Sequence, residues 1–97
     1  MTEGIIFGAA GVTWRDDIDA LAFRPDGHHG TCVVHRLAFR TLMRIMPTPD
    51  ACIAYFAAHE SAFRASARAK ISRRGLAPGT NFHLTSRDLV RALTAAK

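Results

Sequence analysis

Cysteine, aromatic residues and acid are all scarce in this chain. The two cysteines, Cys32 and Cys52, are too few for the disulfide framework of a small secreted scaffold. Each lies among apolar neighbours, the usual setting of a buried thiol. Aromatics make up 8% of the residues, with a single Trp and a single Tyr. The phenylalanines fall at core spacings, so Trp14 and Tyr55 are the only candidates for stacking on a nucleic-acid base. No apolar run nears the ~18–20 residues that a membrane span needs, so no membrane partner is expected. The opening "MTEGIIFGAAGVTW" carries Glu3 where a signal peptide would be positively charged, and glycines interrupt its apolar stretch. The expectation is a cytoplasmic protein. Reactive motifs are missing too. "GAAG" at 8–11 lacks the lysine and the spacing of a phosphate loop, and Ser61, Ser66, Ser72 and Ser86 are not set in a glycine elbow. Neither cysteine has a base partner by spacing. Nothing points to a catalytic set or a cofactor, and the chain is read as non-enzymatic.

Against 8 acids stand 13 basic residues, a net charge of +5 and a pI near 10.2. That balance favours polyanionic partners at the level of encounter. The apolar fraction, 48%, is that of a globular protein. A chain of 97 residues reads as one domain over its whole length. At that size it buries somewhat over roughly 60% of its unfolded surface, enough for one core without staples. There is no internal repeat and no low-complexity tract.

"IDALAFR" at 18–24 alternates, with Leu21 and Phe23 on one face and Ala20, Ala22 and Arg24 on the other. "GTCVVHR" at 30–36 is β-branched and puts Cys32 and Val34 on a shared face. "PDGHHG" between them is turn chemistry: Pro25 fixes φ, and Gly27 and Gly30 permit positive φ. The two runs read as a β-hairpin, with "HH" at 28–29 solvated in the turn. "IIF" at 5–7 and "VTW" at 12–14 read as short strands, 1–11 forming a short edge strand or a flexible start. From His35 the period turns helical through Phe39, Leu42, Met43, Ile45 and Met46. A second helix starts with Thr48 as N-cap, Pro49 at N1 and Asp50 in the first turn, and runs to Arg73 or Arg74 before Gly75. Its apolar face is Ile53, Phe56, Phe63, Ala67 and Ile71. "FHLT" at 82–85 is a short strand, and "TSRD" is a capping box with Thr85 and Asp88 before a last helix. The expectation is α+β: a mainly antiparallel sheet of three to four strands with about three helices on one face, in the order strands, helix, helix, strand, helix.

The order of these features resembles a small bacterial family known as domain of unknown function 1488. The resemblance lies in "VTWRDDIDALAF", the glycine turn and "TCVVH" leading into "RLAFRTLM", then "YFAAHESAFRASARAKI" and the closing "FHLTSRDL". It covers most of the chain. His35 departs from the serine that the family favours at the helix start, and an imidazole caps less well than a hydroxyl. The resemblance implies a compact α+β domain of the bacterial cytoplasm and carries no catalytic residue.

The candidate chemistry is therefore basic. Arg36, Arg40 and Arg44 recur every four residues and form a stripe on the first helix. "AFRASARAKISRRG" at 62–75 adds five basic side chains and no acid. On a helical wheel Arg64 and Arg68 fall on one flank of its apolar face, Lys70 and Arg73 on the other. Such a split suits long cationic stems covering the edge of a core better than a phosphate-tracking stripe. Should Arg64 and Arg68 adjoin the first stripe, a five-arginine surface results. It would dock an acidic protein partner or, alternatively, nucleic acid. Glu60, between Phe56 and Phe63, reads as an i,i+4 partner of Arg64. Cys32 and His35 point to opposite faces of a strand, which argues against a shared metal ion. Segment 1–14, ending in Trp14, could pair two copies into a homodimer, although Trp14 closing the core over the hairpin is the plainer reading.

Overall fold

The computed structural model describes residues 11–95. The expected strand at 5–7 lies outside them. Three strands, β1 (Thr13–Arg15), β2 (Ala20–Phe23) and β3 (Cys32–His35), precede three helices, α1 (Arg36–Met43), α2 (Pro49–Ala58) and α3 (Glu60–Arg74). A two-residue strand, β4 (Phe82–His83), and a last helix, α4 (Ser86–Ala95), complete the chain. The sheet runs β1-β2-β3-β4, antiparallel except for the parallel β3–β4 pair. This is the expected α+β arrangement, with one more helix than the sequence indicates.

The extra helix comes from a break at His59. Its amide is shared between the carbonyls of Tyr55 and Phe56, both at 3.1 Å, and its own carbonyl starts the next helix by accepting from Ala62 and Phe63. One residue therefore ends α2 and begins α3. The first helix is shorter than expected. Arg44 takes a left-handed conformation, φ 65°, that ends α1 after Met43. Ile45 and Met46, assigned to the helix by spacing, are instead exposed in the link to Pro47. Pro47 keeps Met46 out of the helical region, and the left-handed turn at Arg44 ends the helix two residues sooner.

β2 is central, and all four of its residues are buried. The registers Leu21 with Val34 and Phe23 with Cys32 put these side chains on the core face. Ala20 and Ala22 face the other way and are small enough to be shielded by the neighbouring strands. Phe23, Phe39, Phe56 and Phe63 form the middle of the core, with ring centroids 5.0 Å apart for Phe23–Phe56 and for Phe56–Phe63. Such pairs add about 0.5–1.5 kcal/mol each beyond area burial. Trp14 packs half-buried against this cluster, and its Nε1 is buried without a hydrogen-bond partner among the described residues.

The turn between β2 and β3 is locked to the loop before β4. His29 and Gly30 both donate their amides to Pro78 O, and His28 Nε2 donates to Thr80 O at 2.8 Å. His28 is therefore buried, edge-on to Phe82, and not solvated as its place in a turn suggests. Gly27 does adopt positive φ, 67°. Gly30 is needed for a different reason: a Cβ there would stand 2.1 Å from Thr80 O.

Both predicted caps form. Thr48 accepts from the Ala51 amide. Thr85 and Asp88 exchange amide-to-side-chain bonds at 2.9 and 3.2 Å. His35 makes no side-chain cap bond, and the first amide of α1, that of Arg36, donates to Asp19 O at 2.9 Å. Asp19 sits at φ 53° to present that carbonyl.

Candidate basic surface

The chemistry available to a partner depends on which cations remain after the protein's own acids have taken theirs. Arg36 is held twice by Asp19: its amide by the carbonyl, and its Nε by the carboxylate at 3.2 Å. Its guanidinium also donates to Pro47 O. Arg36 thus ties the start of α1 to the start of β2. Arg64 is engaged more fully. Its Nε meets Glu60 at 2.8 Å, the pair expected from the i,i+4 spacing, and its Nη1 meets Asp26 at 3.2 Å and Arg24 O at 3.1 Å. The guanidinium lies over the Phe23 ring, 5.5 Å from its centroid. Arg64 clamps α3 to the hairpin turn.

Lys70 is not on a solvated flank. It is 8% exposed and sits on the buried side of α3 with Phe63, Ser66 and Ala67. Its Nζ donates to Asp88 at 2.8 Å and to His83 O at 2.9 Å. Burial pushes the Asp88 carboxyl up, but the hydrogen bonds from Lys70 and from the Thr85 amide and hydroxyl, with the Lys70 charge, outweigh it and hold its pKa at about 2. The apolar face drawn through Ile71 is therefore turned toward Lys70. The spacing of Lys70 from Phe63 and Ala67, seven and three residues, is the signal that places it there. Its partner, the N3 acid of a capping box 18 residues on, carried no such signal.

The remaining cations behave differently. Arg40 is exposed on α1, and Arg44 is exposed just beyond its end. Neither makes an ion pair among the described residues. Arg68 lines a groove between α3 and α4 together with Arg73 and Arg91. Arg73, Arg74, Arg87 and Arg91 ring a second concavity at the start of α4. Of these, only Arg73 has a counter-ion among the described residues, the already occupied Asp88 at 3.6 Å. The structure thus separates Arg64 from Arg68. Arg64 belongs to the hairpin contact, and Arg68 joins α4 arginines that sequence spacing did not connect to it.

The thiols offer no nucleophile at neutral pH. Burial pushes Cys32 up to about 12 and Cys52 up to about 11. Cys32 is in the core, and His35, three residues on, is exposed. None of the described helices is long and apolar enough to cross a membrane. Comparison with protein-family models, with curated proteins and with solved structures returns no match.

Proposed function

We propose that this chain is a small, non-enzymatic binding protein of the bacterial cytoplasm that docks an acidic protein partner on the basic surface of α3 and α4. The observation that carries the reading is the gathering of Arg68, Arg74, Arg87 and Arg91, none ion-paired among the described residues, around adjoining concavities. Arg40 on α1 and Arg44 just beyond its end add further cations without an ion pair among the described residues. Guanidinium forks suit carboxylates, which they can engage through two parallel hydrogen bonds. Val90, 49% exposed, lies between Arg87 and Arg91 on the open face of α4. A surface that alternates cation and apolar side chain fits a protein partner better than a phosphate backbone. The resemblance to domain of unknown function 1488 belongs to the same proposal, as does pairing of two copies along β1, an edge strand.

The test is fluorescence anisotropy of the whole chain with labelled poly-L-glutamate and with labelled duplex DNA, at several salt concentrations. The reading expects saturable poly-glutamate binding that Arg91→Gln weakens. Stronger binding to DNA, with a log-log salt slope of about one per phosphate contact, would transfer these arginines to nucleic acid. No binding of either near physiological salt ends both readings.

A further inference from the structure

The groove between α3 and α4 has a property that a charged docking surface does not require. It is lined by alanines, among them Ala65 and Ala69 of α3 and Ala92 of α4, together with Arg68 and Arg91. Methyl groups at these positions leave about 510 Å³ open between two packed helices. That lies within the roughly 300–1,000 Å³ of small-molecule sites, which are mostly apolar with a few placed polar groups. Ser66 supplies one such group. It is 5% exposed and lines the groove, yet its hydroxyl makes no hydrogen bond among the described residues. A serine inside a helix can bond back to the carbonyl four residues earlier. Thr41 does so, to Leu37 O at 3.2 Å. Ser66 instead keeps a donor and an acceptor for something in the groove.

The charge of the site is one-sided. Asp88, the one carboxylate among the described residues that line it, accepts from Lys70 Nζ and the Thr85 amide. Arg68 and Arg91 have no acid of their own among the described residues. A cation would meet two uncompensated guanidinium groups, whereas a carboxylate would meet two donors and the Ser66 hydroxyl. We propose that this groove binds a small molecule with an apolar body and a single carboxylate: the body over the alanines, the head between Arg68 and Arg91, and Ser66 bonding to the carboxylate. This ligand is distinct from the acidic protein partner, although it would occupy some of the same arginines.

The test follows amide resonances of the whole chain during titration with sodium decanoate below its micelle-forming concentration. Acetate and decyltrimethylammonium serve as comparisons for the apolar body and for the sign of charge. Decanoate should shift Ser66, Ala69 and Ala92 saturably; decyltrimethylammonium, which loses the charge-assisted contacts, and acetate, which loses the apolar burial, should each bind at least about tenfold more weakly. Ala65→Phe, which puts a ring into the groove, should abolish the response. Arg91→Gln, at an exposed position where folding is not at stake, should weaken it about fivefold or more. Equal binding of the cationic ligand, a response indifferent to Arg91→Gln, or no saturable shift at these residues would overturn the proposal. Poly-glutamate binding retained alongside any of these would leave the acidic-partner reading in place.

Discussion

Arg64 and Arg68 are one helical turn apart on α3, yet they belong to two different regions of the molecule. The hairpin-facing region supplies acids: Glu60 and Asp26 take Arg64, and Phe23 lies beneath its guanidinium. Among the described residues the α4-facing region supplies one acid, Asp88, and a buried lysine holds it. Arg68 is therefore left without an ion pair among the described residues, along with Arg74, Arg87 and Arg91. The difference teaches that a cation's availability is decided by the acids that the fold brings opposite it, not by its place on the helical wheel. One region uses its arginines to hold the structure together, and the other presents them.

The comparison can be broken most strongly at Gly30, where the hairpin turn meets the loop before β4. Gly30→Ala puts a methyl group against Thr80 O and should cost about 3 kcal/mol, measured by urea denaturation. On the α4 side, Lys70→Met leaves Asp88 buried without its main counter-ion, with only the more distant Arg73. We expect a loss of about 2–3 kcal/mol by the same measurement.

Acid titration sharpens this second case. The Asp88 carboxyl is lowered from 3.8 to about 2 in the folded chain, so between those values the unfolded state binds more protons. The stabilisation is therefore fully present above pH 4 or so and is lost as pH falls toward 2. It amounts to about 2 kcal/mol. Asp88→Asn should flatten thermal stability across that window. The smallest effects separate the two arginines directly. Arg64→Ala should cost about 1 kcal/mol, combining partly exposed ion pairs with packing on Phe23. Arg68→Ala should stay within about 0.5 kcal/mol of the parent, as a surface change does.

Much of the fold is legible in the sequence because its signals are local. The Thr48 and Thr85 caps, the glycine stop at Gly75 and the β2–β3 hairpin each rest on residues within a few positions of one another. The break at His59 is not legible in the same way. No glycine or proline marks it, and it depends on an amide shared between two carbonyls. His28 and Gly30 read as turn residues because their real constraint, the loop at 77–81, is about 50 residues away. The site divides along the same line. The Glu60–Arg64 pair follows from spacing. The Lys70–Asp88 pair, and the meeting of Arg68 with Arg91, depend on α3 packing against α4, which no local pattern encodes.

The most direct measurement is the poly-L-glutamate affinity of Arg64→Gln beside that of Arg68→Gln, at one salt concentration near physiological. The account predicts about a fivefold loss for Arg68→Gln, the effect of one free guanidinium, and a change within about twofold for Arg64→Gln. An equal loss for both, or the larger loss at Arg64, would contradict it, because the ion-paired arginine would then be part of the presented surface.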